Sequence, residues 1–357
     1  MIDLKNSFAN MAIQQGNLRP EHKGNFRYKE IAEIGSGTYG HVIRADDTKT
    51  NKEVAIKCVA ITKQTAKIEN QHLKCIFREL VCLKNNKHPN LLHLLDVFIP
   101  LKTETASALN RVYFVTELLK RNLWNMIYDE DVRFNQENIS FIMYQICCAV
   151  NHLHKSGIVH RDLKSENIAV TTGYQIKVLD FGMSRQVSDE MSLSRGAVGY
   201  RSPELMEGNP NYTEKVDIWS IGVIFTEFVL RRLDTFCVPP TLNQLNDGTF
   251  DWTRLFENRH FCNYSNPDDP KTLKNMNAQT ARDLLSNLLV VGPTKRLSAE
   301  AAVRHPYLCL YWEENEVNLT PQPIFTELQQ EQPARSMIFE TIQKFAQELH
   351  ESEVVNA

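Results

Sequence analysis

The sequence predicts an α+β protein with two lobes, in which a small β-rich N-terminal lobe is followed by a larger helical C-terminal lobe. The first hundred residues open with strand-like segments joined by glycine and polar turns, as in "YKEIAEIGSGTYGHVIRADD". From Asn135 the spacing of apolar residues becomes helical, and residues 217–230 are apolar on every side, which is typical of a helix buried in a core. This change of character predicts a boundary near Leu118–Leu119.

Composition narrows the class of protein. Of the 357 residues, 42% are hydrophobic and 23% are charged, which is the usage of a globular protein. The net charge of −3 gives no reason to expect a nucleic-acid partner. Eight cysteines without zinc-ligand spacing predict free, mostly buried thiols in a reducing compartment. No signal peptide or membrane-spanning run is visible, so we expect a soluble protein of the cytoplasm, with the nucleus left open.

Four segments divide the chain. Residues 1–25 are polar and without periodicity, which predicts a flexible extension. Residues 26–118 are expected to form the N-terminal lobe, with strands at "VAIKCVAI", "LLHLLDVFI" and "RVYFVTELL" and a helix at "AKIENQHLKCIFRELVCLKNN". Residues 119–311 are expected to form the helical lobe, in which Asn135 caps a long helix. Residues 312–357 carry nine glutamates against one arginine and one lysine.

A glycine-rich segment, "GSGTYGHV", carries the first chemical signal. A lone G-x-G-x-x-G is weak, but here the following residues alternate like a strand, whereas a dinucleotide-binding fold needs a helix there. A glycine hairpin suits a flap whose N–H groups approach phosphates closely. Glu79 lies near the apolar face of its helix, where a carboxylate is costly unless it is paired. Lys57, in "VAIK", is its natural partner and is then able to orient α- and β-phosphates.

Two loop motifs, "HRDLKSEN" and "DFG", supply the remaining chemistry. Phosphoryl transfer requires a protein to hold metal-bound phosphates and to orient a hydroxyl. Asp162 can accept the hydroxyl proton, and Asn167 and Asp180 offer hard oxygen ligands that suit Mg²⁺. Each of these is by itself an ordinary loop residue. The five elements in this order and at these spacings predict a phosphotransfer site.

At this point the chain resembles the eukaryotic protein kinases, from about Tyr28 to Tyr311. The likeness includes "SPE", "VDIWSIG" and "KRLSA". It implies the bilobal protein kinase fold, a pair between Glu204 and Arg296, and Asp217 as a brace for the catalytic loop. Lys164 resembles the lysine of the Ser/Thr-directed class, placed to contact the γ-phosphate.

The resemblance also implies a set of ATP contacts, with Thr116 as gatekeeper and Glu117 to Leu119 as the hinge that binds adenine. It implies ATP and Mg²⁺ as cofactors, with Asn167 and Asp180 as metal ligands and Asp162, Lys57, Glu79 and Lys164 as catalytic residues. The ATP-binding residues expected from it are Ile34, Gly35, Ser36, Gly37, Thr38, Tyr39, Gly40, His41, Val42, Lys57, Thr116, Glu117, Leu118 and Leu119.

Within the kinases, "VYFVTELL" and "DFGMSRQVSDEM" resemble mitogen-activated protein kinases of the stress-activated type. "HPYLCLYWEENE" resembles the start of that family's acidic docking segment, so Glu313, Glu314 and Glu316 are expected either to dock basic motifs of partners or to form a solvated acidic linker. "ARSMIFETIQKFAQELH" resembles its final helix, which packs back on the N-terminal lobe.

The segment between "DFG" and "SPE" departs from that family. The usual Thr-x-Tyr pair falls on Ser192-Leu193-Ser194, a later threonine is Ala197, and the family's tryptophan is Gly199. "KSEN" replaces the commoner "KPSN", which adds Glu166 either as an attraction for a basic substrate residue or as a solvated loop residue. The insert region is also shorter.

These departures predict a one-phosphate switch at Ser192. A phosphate orders a loop only where arginines are placed to bind it. The alignment with the family offers Arg78, Arg161 and Arg185, whereas only Arg201 remains of the phosphotyrosine pocket. The rival interpretation is a loop ordered without modification.

Two functional hypotheses follow. In the first, the chain is a Mg·ATP-dependent protein serine/threonine kinase whose partners are ATP, protein substrates and an upstream activating kinase, without nucleic acid or membrane. In the second, the kinase fold serves as a catalytically weak scaffold or binding module, which the altered 192–199 segment and the shorter insert favour.

Overall fold

The mixed α+β architecture predicted from the sequence is confirmed by the computed structural model. It describes residues 27–37, 40–61, 66–100, 103–186, 198–209, 211–231, 276–311 and 333–355. The strands are β1 (Tyr28–Gly37), β2 (Gly40–Asp47), β3 (Lys52–Ala60), β4 (Asp96–Phe98), β5 (Arg111–Glu117), β6 (Arg121–Asn122), β7 (Ile158–Val159), β8 (Ile168–Val170), β9 (Ile176–Val178) and β10 (Arg185–Gln186). The α-helices are α1 (Ala66–Asn85), α2 (Leu123–Ile127), α3 (Gln136–Lys155), α4 (Pro203–Met206), α5 (Lys215–Arg231), α6 (Ala278–Leu288), α7 (Ala299–Val303) and α8 (Arg335–Val355).

The chain divides into two units. The first comprises Met1–Gln64, Leu95–Leu118 and Arg335–Ala357, and the second comprises Thr65–Leu94 and Leu119–Ala334. Helix α1, which carries Glu79, therefore belongs to the second unit, and helix α8 belongs to the first.

The first unit is built on an antiparallel five-stranded sheet in the order β1-β2-β3-β5-β4. One face buries apolar side chains that alternate along the strands, as half-buried strands require. Aromatic rings extend this core, since Phe98 stacks on Tyr28 and on Tyr113 with centroids 5.7 Å and 4.8 Å apart. The sheet places Lys57 on β3 opposite Val42 of β2 and Phe114 of β5.

Helix α8 packs within this first unit and buries Ile338, Ile342 and Phe345. Asp96 of β4, which is 2% exposed, is the polar anchor beneath it. Its carboxylate accepts a hydrogen bond from the Tyr28 hydroxyl at 2.7 Å and lies 3.3 Å from His350 Nε2 of α8. The helix is thereby joined to the sheet by apolar packing and by a buried carboxylate.

The predicted strand "LLHLLDVFI" is shorter than expected, because only Asp96–Phe98 is extended in the sheet. The preceding backbone groups bond elsewhere. The N–H of Leu92 donates to Val178 O at 3.1 Å, and the N–H of Leu94 donates to Leu83 O at 3.2 Å. Groups that are already bonded within the second unit cannot join a ladder of the first, so the strand begins only at Asp96.

In the second unit, α3 and α5 contribute more buried apolar side chains than the other described helices. Asn135 caps α3 as predicted, by accepting from the Asn138 N–H at 2.7 Å in a reciprocal capping box, and Gly157 beyond the helix has a φ of 71°. Helix α5 is apolar around its circumference, and its Asp217 is nevertheless fully buried. In the described ranges no helix combines the length and the apolar character that crossing a bilayer demands.

Gly40, the first residue of β2, tolerates no side chain. A Cβ placed there would lie 1.8 Å from Cys58 O, whereas a Cβ at Gly35 would meet nothing closer than Val42 Cβ at 4.0 Å. We expect Gly40→Ala to lower the free energy of unfolding by about 1–3 kcal/mol through forced backbone movement, and Gly35→Ala to change it little. Urea denaturation of both variants checks this, and equal midpoints would contradict the clash.

A buried histidine of the second unit, His88, predicts that the free energy of unfolding falls in acid. His88 is 3% exposed, and burial, followed by the nearby charges of His152, His93 and Lys177, lowers its pKa to about 3. The unfolded chain takes up this proton near pH 6.5, so the stabilisation is complete above pH 6.5 and is lost as the pH falls towards 3. We expect a loss of about 2 kcal/mol at pH 5 from this group.

His88→Asn supplies the control, since an amide oxygen can replace Nδ1 as the acceptor of the Asn90 N–H, which lies 3.1 Å away. The free energy of unfolding of this variant is expected to fall less steeply between pH 7 and 5 than that of the natural protein. Identical slopes would show that His88 is not the group responsible.

Candidate active site

The catalytic loop begins on a buried carboxylate. Asp217 of α5 accepts hydrogen bonds from the backbone N–H groups of His160 and Arg161, both at 2.8 Å, and contacts His154 Nε2 at 2.9 Å. Burial alone would raise the pKa of Asp217, but the hydrogen bond and charge of His154 and the hydrogen bond from the Arg161 backbone outweigh it and lower that pKa. The brace implied for Asp217 is therefore confirmed, and it fixes Arg161 at a left-handed φ of 70°.

His160 ties this loop to the segment that precedes Asp180. Its Nε2 lies 2.9 Å from the carbonyl oxygen of Leu179, which can only accept, so Nε2 carries the proton. Its Nδ1 is then the acceptor of the Asp162 N–H, 3.3 Å away. One neutral imidazole, fully buried, thus sets the spacing between the two loops.

Asp162 stands at the centre of a short polar cluster. Lys164 Nζ is 3.0 Å from its Oδ2, and Asn167 Nδ2 donates both to that oxygen and to the Asp162 carbonyl at 2.9 Å. The three side chains predicted to act together are therefore brought together. Asp162 remains partly accessible, as a group that receives a substrate proton must be.

Asp180 adopts an unusual backbone conformation, with φ 60° and ψ 79°, which aspartate tolerates better than most residues. Its Oδ1 accepts from the Gly182 N–H at 3.4 Å. A Cβ at Gly182 would meet Asp180 Oδ1 at 3.4 Å and Glu79 Oε2 at 3.8 Å, so helix α1 brings Glu79 beside this loop. Phe181 is fully buried beneath it, 5.5 Å from the His160 ring.

The donor set suits Mg²⁺. Because Asn167 commits its Nδ2 to Asp162, its Oδ1 is the atom left for a cation, and Asp180 adds a carboxylate. The described ranges contain no group of three or more His, Cys, Asp or Glu side chains that could hold a metal. Mg²⁺ does not require such a group of side chains, since it takes one or two protein oxygens and completes its shell with substrate phosphates and water.

Several expected ATP contacts lie in the first unit and are placed there by strands. Lys57 is on β3, Thr116 is on β5 and 8% exposed, and His41 and Val42 follow Gly40 on β2. Ile34 and Gly35 are exposed on β1. Because Lys57 and Glu79 belong to different units, their pairing stays a prediction.

Comparison with known proteins now decides the family. The model of the protein kinase domain matches residues 28–308. The chain belongs to the eukaryotic protein kinases. It is 35% identical over 321 residues to GLH-binding kinase 1 of Caenorhabditis elegans, covering 82% of this chain and 80% of that protein. It is 33% identical over 328 residues to the stress-activated protein kinase jnk-1 of the same organism, covering 83% of this chain and 67% of that protein.

Some predicted residues of this kinase lie outside the described residues. Thr38 and Tyr39 of the glycine segment do, and so do Ser192 with its flanking segment and the acidic Glu313, Glu314 and Glu316. For Ser36, Gly37 and Arg185 the structure describes the backbone in strands β1 and β10.

The implied pair between Glu204 and Arg296 is confirmed in the second unit of the kinase. Arg296, which is 2% exposed, places Nη1 2.8 Å from Glu204 Oε1 and Nη2 3.2 Å from Oε2. The same guanidinium donates to the Lys215 carbonyl at 2.7 Å and lies over the Trp219 ring at 5.2 Å. The pair joins helix α4 to the segment that precedes α7, and Arg296 also contacts α5 through Lys215 and Trp219.

Sequence reasoning missed a second carboxylate of α5. Glu227 accepts from the Tyr200 hydroxyl at 2.7 Å, and the Ser165 hydroxyl lies 3.4 Å from the same oxygen. Burial raises the pKa of Glu227, and the neighbouring charge of Glu166 adds to this. The available signal was a carboxylate within an apolar helix, which must find hydrogen-bond donors. Glu166 itself is exposed, with Oε2 3.4 Å from the Tyr200 hydroxyl.

Proposed function

We propose that this kinase transfers the γ-phosphate of ATP to serine or threonine hydroxyls of proteins, and that it is of the mitogen-activated type. The observation that carries the proposal is the ion pair of Lys164 with Asp162 at 3.0 Å, next to an Asn167 whose amide is committed to the same aspartate. A lysine two residues beyond the base neutralises charge that develops on the transferred phosphoryl group. The 33% identity to a stress-activated kinase supports the finer class.

The chemistry assigns one step to each residue. The substrate hydroxyl attacks the γ-phosphorus, the bond to the β–γ bridging oxygen breaks, and Asp162 takes the hydroxyl proton. Lys164 stabilises the charge on the transferred group, and Lys57 orients the α- and β-phosphates. Mg²⁺, when bound, supplies neutralisation of phosphate charge, and Asn167 and Asp180 would hold it.

The test is phosphotransfer from labelled ATP to an array of serine, threonine and tyrosine peptides with and without a proline after the acceptor. We expect label on serine and threonine. Parallel reactions without Mg²⁺ measure how far the transfer depends on the metal. Label confined to tyrosine would overturn the Ser/Thr assignment. No label on any peptide would favour the scaffold hypothesis, to which the replacement of the family's threonine and tryptophan by Ala197 and Gly199 points.

We further propose that phosphorylation of Ser192 activates the kinase. The supporting residues are Arg161, which lines a small pocket together with Asp162, and Arg78, which lies one residue before Glu79 on α1. A phosphate carries a charge of about −1.5 to −2, so arginines that bind it can order the loop that bears it.

After treatment with an upstream kinase, we expect Ser192→Ala to remain at basal activity, because no phosphate then reaches the arginines, and Ser194→Ala to be activated about as much as the natural protein. Initial rates on the best array peptide measure this. Full activation of Ser192→Ala, or activation that requires only Ser194, would contradict the switch. Docking of basic partner motifs on Glu313, Glu314 and Glu316 stays a prediction.

A further inference from the structure

Ser165 is a fully buried hydroxyl inside the catalytic loop. It is the first residue of a 3-10 helix, Ser165–Asn167, that directly follows Lys164. Its Oγ lies 2.9 Å from the Tyr200 hydroxyl, 35 residues further along the chain. The "KPSN" of the resembling kinases has a proline here, which cannot make this bond, so the contact distinguishes the present chain.

The directions of the hydrogen bonds follow from the proton count. Tyr200 has one proton, and its shortest contact, 2.7 Å, is to the Glu227 carboxylate, which can only accept when ionised. Ser165 is then the donor to the Tyr200 oxygen. The result is a directed chain from Ser165 through Tyr200 to Glu227, in which each bond polarises the next.

The far end of this chain is fixed to α5. Glu227 belongs to that helix, and the carbonyl of Tyr200 accepts from Ser220 Oγ of the same helix at 3.0 Å. The two ends of the loop are fixed as well: its start is held by Asp217, and Asn167 O accepts from the Leu179 N–H at 2.8 Å. Ser165 lies between them, next to Lys164 and three residues from Asp162.

We propose that Ser165 is a positioning residue for phosphotransfer, whose hydroxyl fixes the middle of the catalytic loop to Tyr200. Loss of this bond leaves Asp162 and Lys164 on a loop that is held at its two ends and by its internal bonds of Asp162 with His160 and Asn167, but no longer by Ser165. The inference rests on the proposed phosphotransfer function. It assigns Ser165 an effect on the alignment of the substrate hydroxyl rather than on ATP affinity.

A proline at position 165 separates the effect of the hydroxyl from the effect of the backbone conformation. Lys164 is extended, with φ −159° and ψ 160°, which is the conformation that a following proline requires. The first residue of a helical turn has no partner for its N–H within the turn, so Ser165→Pro removes the hydroxyl without removing a bond of the turn. If only the shape of the loop mattered, Ser165→Pro would keep full activity.

The test compares Ser165→Ala, Ser165→Pro, Tyr200→Phe and the double variant Ser165→Ala/Tyr200→Phe, with Ser156→Ala as the matched control. Ser156 is also buried and bonds a helix carbonyl, His152 O, at 2.8 Å. We expect kcat to fall about 3- to 10-fold in both Ser165 variants, as for one hydrogen bond, with the KM for ATP unchanged. The double variant is expected to be no slower than Tyr200→Phe alone, and Ser156→Ala to retain the natural kcat.

The ratio of phosphopeptide formed to ADP released separates positioning from instability. A lower active fraction reduces both rates equally, whereas a misplaced hydroxyl or base lowers the ratio, and we expect Ser165→Ala to lower it. Unchanged kcat in Ser165→Ala, full activity in Ser165→Pro, an unchanged ratio, or multiplied losses in the double variant would each overturn the inference.

A natural protein that phosphorylates no peptide would instead overturn the proposed function. In that case, the Ser165→Ala, Tyr200→Phe and double variants are compared by their unfolding equilibrium constants in urea. Non-additive losses there would support the Ser165–Tyr200 bond as a fixing of the loop, and additive losses would overturn it.

Discussion

Asp162→Asn is expected to reduce phosphotransfer by about 10²- to 10⁴-fold, because an amide of the same shape cannot take the proton of the substrate hydroxyl. The geometry makes the substitution specific. Asn167 Nδ2 and Lys164 Nζ can still approach the remaining oxygen, so the polar cluster around residue 162 is preserved in outline. Steady-state kcat with a peptide from the array measures the loss of catalysis, and the melting temperature measures any loss of stability.

Asp129→Asn is the matched control, since Asp129 forms a surface pair with Arg121 outside the catalytic loop. It is expected to leave kcat unchanged. Equal rates for the natural protein and Asp162→Asn would show that Asp162 is not the base and would favour the scaffold hypothesis. A fall in the melting temperature that accounts for the whole loss of activity would point to misfolding instead.

Arg296→Met is expected to lower the free energy of unfolding by about 3–5 kcal/mol. The substitution leaves Glu204, which is 5% exposed, without its bidentate partner, and an unpaired buried carboxylate keeps the full cost of its desolvation. It also removes the donor to the Lys215 carbonyl and the cation over the Trp219 ring. Urea denaturation at pH 7 measures the loss.

Arg304→Met provides the comparison, because Arg304 pairs with Glu300 one helical turn away and both side chains are about half exposed. Such a pair contributes only about 0.3–0.5 kcal/mol. A similar destabilisation in the two variants would mean that burial does not govern the strength of the Arg296 pair. Addition of Glu204→Gln to Arg296→Met should restore part of the loss, since a neutral amide costs less to bury.

Local patterns were enough to predict the parts of the molecule whose geometry is local. The glycine hairpin, the Asn135 cap and the largely apolar helix α5 depend on residues a few positions apart. The loop motifs placed Asp162, Lys164 and Asn167 together for the same reason, since they lie within six residues. Asp217 and Arg296 required the family resemblance, because their partners are 56 and 92 residues away.

The errors and omissions come from bonds between distant segments. The segment "LLHLLDVFI" has the composition of a strand, but Leu92 and Leu94 find their partners in Val178 and Leu83. Ser165 carries no signal in its own neighbourhood, because Tyr200 and Glu227 lie 35 and 62 residues away. Composition sets which groups need partners, and only the tertiary fold determines which partners they meet.

The membership of helix α8 in the first unit has a consequence for how the protein is made. The sheet strands leave the ribosome early, but the helix that covers β4 and meets Asp96 through His350 is translated more than 200 residues after β5. At ordinary elongation rates this delay is about 10–40 s, during which the second unit is completed first. Until α8 is made, the apolar surface that Ile338, Ile342 and Phe345 later cover stays exposed. A nascent chain that stalls in this interval offers that surface to chaperones.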